Sequence, residues 1–309
     1  MDLLAFVNDG LMSIFFLLIG LEIKREIIHG ELSTIKKASL PVIAAFGGAI
    51  VPAIIYFVIN RNIAVVQGWG IPMATDIAFA LAIISLLRSR VPNSLKVFLA
   101  ALAIVDDLIA ILVIAIFYSD GLHYDYLFYA LAVFGLLVAF NRLKIRLLPF
   151  YIIPGLFIWY FIHHSGIHAT IAGVITAIAI PGDKLEHYLL KPVNYLIVPV
   201  FAIVNIANIN FSELSFEMLE SGLSAGILAG LLIGKPVGIF LSSWLTVKLK
   251  LGHMPSGANW KHMAGLGILG GIGFTMSIFI AILSFDNDTL HTEAKFAILI
   301  ASATAAVIG

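Results

Sequence analysis

An all-α polytopic membrane fold is predicted from three observations. Hydrophobic residues make up 61% of the chain and charged residues 12%, with a mean hydropathy of +1.06, so lipid is the main solvent. The apolar residues gather in eleven runs near the length of about 20 residues that a helix needs to cross a bilayer. Between the runs, basic-rich loops alternate with basic-poor ones. The absence of cysteine excludes disulfides, iron-sulfur clusters and thiolate chemistry. A net charge of zero gives no reason to expect a nucleic-acid partner; the bilayer itself is the expected partner.

Segment one, near 3–22, ends LMSIFFLLIGLEI–KRE; with no small-residue cleavage site it reads as a span rather than a signal peptide. Segment two, 39–59, holds PVIAAFGGAIVPA. Segment three, 63–87, holds GWGIPMATDIAF, where Gly70 and Pro72 interrupt the helix and Thr75 or Asp76 can cap a second half. Segment four, 97–118, contains AIVDDLIAIL. Segments five to eight run 125–141, 147–163, 166–180 and 192–210. Segment nine, 222–247, carries Lys235, and segment ten, 262–285, holds GILGGIGFTMSIF, whose Gly267, Gly270, Gly271 and Gly273 weaken the helix before Thr275 and Ser277. Segment eleven, 294–309, is slightly short for a span.

The basic residues fix the orientation. Lys24, Arg25, Lys36, Lys37, Arg88, Arg90, Lys96, Arg142, Lys144, Arg146, Lys184, Lys191, Lys248, Lys250 and Lys261 all fall in loops on one side. Only Arg61 and Lys295 fall on the other, so segment one runs from outside to inside. Segments two to four then run opposite to segments nine to eleven, which predicts inverted repeats near 39–118 and 222–309 within a single transmembrane domain. The middle member of each triplet is the interrupted one. Paired interrupted spans in inverted repeats point to a secondary transporter with its site at the midplane. Glycines alone also suit close helix packing.

Four ionisable residues lie inside these spans: Asp76, Asp106, Asp107 and Lys235. Each opposes insertion by roughly 2.5 to 3.5 kcal/mol, about 10 kcal/mol together, unless the groups pair, hydrate or neutralise. An Asp–Lys pair acting as helix glue explains one acid and leaves the second unexplained. Successive helix positions point about 100° apart, so one aspartate can face Lys235 while the other faces a cavity. Neighbouring acids titrate as a coupled unit. An ionised carboxylate with the Thr75 hydroxyl, backbone carbonyls and water can ligate a cation such as Na+, and protonation removes the charge that holds it. Asp76 also suits the positive ends of two half-helices, and Lys235 the negative ends.

At these residues the chain resembles the NhaA family of sodium/proton antiporters. The similarity rests on GLEIKRE (20–26), PVIAAFGGAIVPA (41–53), ATDIAFAL (74–81), ALAIVDDLIAI (101–111), SGIHATIAGV (165–174), LLIGKPVGI (231–239) and GILGGIGFTMSIFIA (267–281), in the family's order across nearly the whole chain. It implies an inverted-repeat transporter with two interrupted, crossing helices in a bacterial inner membrane. It also implies electrogenic exchange of Na+ or Li+ for more than one proton, serving pH and sodium homeostasis, with no cofactor. By matching motif, Asp106 and Asp107 are the ion and proton carriers, Lys235 partners Asp106, and Thr75 and Asp76 sit at the helix crossing. Glu22, Arg25, Glu26, Glu186 and His187 resemble the region linked to pH control; charged helix ends at an interface are also commonly just solvated.

Family members carry a further helix and a hairpin before GLMSIFF, where this chain opens at Met1, so it reads as shortened at both ends. That hairpin is associated with dimerisation, which weakens the expectation of a homodimer. Leu190 stands where some relatives have a second histidine, and His168 reads as a hydrogen-bonded structural residue. The pair His163 and His164 lacks a further metal ligand nearby. Three other readings compete. A Mg2+-dependent intramembrane enzyme would use the Asp pair on a diphosphate but wants a second acidic motif. A light-driven pump would use Lys235 as a Schiff base, against which stand eleven spans and the adjacent Pro236. A cation channel would pass Na+ without a coupled proton.

Overall fold

Lipid offers no hydrogen bonds to the backbone, so each spanning segment must satisfy its own peptide groups as helix. The computed structural model describes Leu4 and residues 6–61, 63–87, 91–119, 121–182, 184–207 and 216–309, among which no strand occurs. Arg88 and Arg90 of the basic loops, and the segment limits 3 and 208–210, lie outside the described residues. Helices follow the sequence segments in order: α1 Phe6–Ile28, α2 Ile35–Ile59, α3 Gln67–Leu86, α4 Asn93–Phe117, α5 Tyr124–Arg142, α6 Pro149–His164, α7 Ile171–Ala179, α8 Lys184–Ala207 and α9 Gly222–Lys248. The interrupted α10 comprises Trp260–Gly270 and Phe274–Ser284, and α11 is Asp288–Ile308.

Eight of these are long and apolar enough to cross a membrane, and α10, bent by 43°, makes a ninth. The sequence suggested eleven. The difference is α6 and α7, of 16 and 9 residues: the apolar window 166–180 begins in a non-helical turn, and α7 stops at Ile180, in extended backbone ahead of Pro181. Conversely, α11 is longer than its apolar run. Asn287 caps it by accepting from Thr289 N at 2.8 Å, so the polar residues from Asp288 onward join the helix and make it 21 residues long.

The chain divides into two compact units, Met1–Ile28 with Ile111–Asn205, and His29–Ala110 with Ile206–Gly309. In the first, α1 lies along α7 through small residues. A side chain at Gly20 would meet Ala177 Cβ at 2.7 Å, and one at Gly173 would strike the backbone of Ser13 and Leu17. Lys24 donates to the carbonyls of Ile178 and Ile180, and Asn141 donates to Ala179 O at 2.6 Å. These side chains satisfy the carbonyls that the short α7 leaves open.

In the second unit, α9 is the spine. Its glycines recur every fourth residue at 230, 234 and 238, which puts them on one face. A Cβ at Gly230 would meet Pro72 at 2.6 Å, one at Gly234 would meet Pro52 at 2.7 Å, and one at Gly238 would run into the Gly47 carbonyl of α2. Close approach of this kind drives association in lipid, where burial of apolar surface contributes little. One wide turn, Gly230–Gly234, precedes Lys235. Pro236 follows and has no N–H to continue the ladder, and wide turns of this sort gather at functional sites.

Two glycines should respond oppositely. Gly238→Val overpacks the α2–α9 contact and is expected to lower stability by about 1–3 kcal/mol. Gly135 is an exposed interior residue of α5 with open space around it, so Gly135→Ala should raise stability by about 0.5–1 kcal/mol. Thermal midpoints of the two purified variants in one detergent check both.

Candidate functional site

Both helix breaks lie in the second unit and bond to each other. In α3, residues Gln67–Met73 form a tight 3-10 coil containing Pro72, Ala74 turns extended, and Ile77–Leu86 starts afresh. In α10, Gly270 ends one half and Phe274 begins the next. Across the two breaks Asp76 N donates to Ile272 O at 2.7 Å, and Ser277 Oγ donates to Ile71 O at 2.8 Å. Thr75 Oγ1 lies 2.8 Å from Gly270 O.

Asp76, 3% exposed, caps two helices at once. Oδ1 accepts from Phe79 N at 3.1 Å, closing its own helix, and Oδ2 accepts from Thr275 N at 3.1 Å and from the Thr275 hydroxyl. One carboxylate therefore faces both N-terminal dipole ends. Ser302 of α11 accepts from Phe274 N at 3.1 Å, satisfying the next open donor. Neither Thr275 nor Ser302 was placed in the site by the sequence. The signal for Thr275 was its position just past the glycine cluster; for Ser302 there was none.

Lys235 and Asp106 are wholly buried. The ammonium donates to Asp106 Oδ2 at 2.5 Å and to the carbonyl of Met73, at the C-terminal end of the 3-10 coil. Asp106 Oδ2 also lies 2.7 Å from Thr75 Oγ1, while Asp106 Oδ1 has no hydrogen-bond partner among the described residues. Asp107, 1% exposed, stands within electrostatic reach of Lys235. The structure thus assembles all five residues singled out for ion and proton binding, Thr75, Asp76, Asp106, Asp107 and Lys235.

The Thr75 hydroxyl has one hydrogen and two acceptors. With Asp106 ionised, Thr75 donates to it and the Gly270 carbonyl goes without that donor. With Asp106 protonated, its O–H can serve Thr75, which is then released to Gly270. A proton on Asp106 Oδ2 is thereby tied to a hydrogen bond at the α10 break.

In the first unit, Arg25 Nη1 pairs with Glu186 Oε1, and Arg25 Nη2 with Glu26 Oε1 at 3.1 Å. Glu22 stands in the field of all three. Glu186 is 3% exposed, so its charge is held by Arg25 rather than by water. His187 is exposed and takes no part in that group among the described residues. His168 Nδ1 lies 3.0 Å from Thr170 Oγ1 and Nε2 3.6 Å from Asp9 Oδ1. His163 stacks on Trp159, and no set of three or more acidic or imidazole groups able to hold a metal occurs among the described residues.

Removal of the two hydroxyl and carboxyl links should be legible in stability. Thr75→Val strips a donor from a buried acceptor pair and is expected to lower stability by about 1–3 kcal/mol, with Thr75→Ser close to the parent. Asp76→Ala removes two caps at about 1 kcal/mol each, with Asp76→Asn intermediate. Thermal unfolding of the four variants at one pH checks the order.

The sequence matches, over residues 1–309, the family described as Na+/H+ antiporter 1. It is 58% identical to the Na(+)/H(+) antiporter NhaA 2 of Flavobacterium johnsoniae, covering 99% of this chain and 78% of that relative. With the Na(+)/H(+) antiporter NhaA of Flavobacterium psychrophilum it shares 55% identity, covering 98% and 81%. With that of Brucella ovis it shares 48%, covering 100% and 82%.

Proposed function

The chain belongs to the Na+/H+ antiporter 1 family, and from that membership we propose how its site exchanges the two ions: Na+ and protons compete for the buried carboxylates Asp106 and Asp107. The protein is an integral membrane transporter that exchanges Na+ for H+, and the reading of the Asp pair as a Mg2+ enzyme site is set aside.

The observation that carries the proposal is Asp106 Oδ1, a buried carboxylate oxygen without a donor. An acceptor left open away from water is costly, and either a proton or a cation removes the cost. Asp107 adjoins it, and the Thr75 hydroxyl and the carbonyls at the breaks supply the further oxygens that a hard cation wants. The same oxygens cannot hold both ligands.

Charge balance supports electrogenic exchange. The site holds three buried carboxylates and one buried ammonium, and the half-helix ends, two of each sign, largely cancel. Two protons neutralise the excess, whereas one Na+ leaves one negative charge. Exchange of one Na+ for two protons moves one net charge, to which 100 mV contributes about 2.3 kcal/mol. That is equivalent to roughly a 50-fold Na+ gradient at 1.36 kcal/mol per decade. Li+, with the same charge, is a second cargo. The bacterial inner membrane is the expected site of action, where the Arg25–Glu186 group with Glu22 and Glu26 would convey cytoplasmic pH.

Dye-monitored proton flux in everted vesicles, started by Na+, tests the proposal. Asp107→Asn should abolish the flux, and an unchanged flux removes the carrier role of Asp107. In the parent, the Na+ concentration for half-maximal flux should rise on acidification by about tenfold per pH unit for each proton displaced; a flat dependence contradicts competition.

A further inference from the structure

The second unit holds a cavity of about 520 Å3 at the loops that carry the basic residues, with none of the site aspartates in its described lining. We propose that this cavity binds the phosphate group of an anionic phospholipid. Its rim is cationic: Lys36 and Lys37 stand there with the imidazole of His253. Among the described residues the one acid on the rim is Glu31, 3.6 Å from Lys37, and none of them pairs with the Lys36 ammonium.

The placement of these lysines runs against helix electrostatics. Lys36 and Lys37 lie in the first turn of α2, and Lys96 lies in the first turn of α4; neither helix has an acid in its first turn. Thr34, the cap residue of α2, makes no side-chain cap hydrogen bond. Helix N-termini carry partial positive charge and favour anions, so these first turns repel their own lysines. A bound anion supplies the missing negative charge. The source is fixed by the deeper walls, where Leu40 and Phe98 are apolar and buried. A charged mouth at the membrane surface over an apolar floor suits a headgroup with the start of its acyl chains; a soluble anion would gain nothing from that floor.

The experiment measures the thermal midpoint of the full chain in phosphatidylcholine vesicles with and without phosphatidylglycerol. Phosphatidylglycerol should raise the midpoint of the parent and of K36R/K37R. K36Q/K37Q should lose most of that rise, while K248Q/K250Q, on the same basic side but outside the cavity, should keep it. An undiminished rise in K36Q/K37Q overturns the site, and an equal loss in K248Q/K250Q overturns it in favour of diffuse surface charge. Inorganic phosphate giving the same rise in pure phosphatidylcholine overturns the lipid assignment. Should K36Q/K37Q fail to fold, H253E, at an exposed position, decides: a reduced rise supports the site, and a full rise overturns it.

Discussion

A helix broken inside a span exposes peptide donors and acceptors where lipid offers them nothing. Two broken helices laid against each other solve this jointly, and that mutual satisfaction is the constraint around which the second unit is built. Asp76 N finds the Ile272 carbonyl, Thr275 N finds Asp76, and Ser277 finds the Ile71 carbonyl. Lys235 takes the Met73 carbonyl, and the glycine face of α9 brings it close enough to do so. Each bond links one break to the other or to its supports, so the breaks stand or fall together.

The same arrangement suits the proposed ion exchange. Charged groups needed to end helices inside a span also make a place where small charges are strongly felt. Asp76 is committed to two helix ends, and Asp106 is half committed, one oxygen to Lys235 and Thr75 and the other open. In the proposed exchange, a proton carried on Oδ2 would reach the α10 break through the shared Thr75 hydrogen, the kind of local two-state bond through which a bound ligand can shift a larger equilibrium.

Much of this was legible in the sequence because lipid penalises every charge that lacks a purpose. The four ionisable residues in apolar runs stood out for that reason, and Gly70, Pro72 and the glycines near 270 marked both breaks. What the sequence did not show was the sharing of partners. That Asp76 would cap a second helix 199 residues away, or that Ser302 would serve Phe274, depends on which chain elements meet. The glycine repeat at 230, 234 and 238 was not singled out in the sequence, because its meaning depends on Pro72, Pro52 and Gly47 lying opposite. Span limits were legible where apolar and helical boundaries coincide. They failed at α7, where an apolar window includes a turn, and at α11, where polar residues open the helix.

The proposed exchange requires exclusive occupancy of the buried carboxylates by protons or Na+. Its most direct test is the number of protons released when Na+ binds to the purified protein, obtained by calorimetry in buffers of different ionisation heat at a pH where Na+ binding is incomplete. Release of one or more protons per bound Na+ is expected, lost in Asp107→Asn. Na+ binding of equal heat in every buffer, with no proton released, would contradict it.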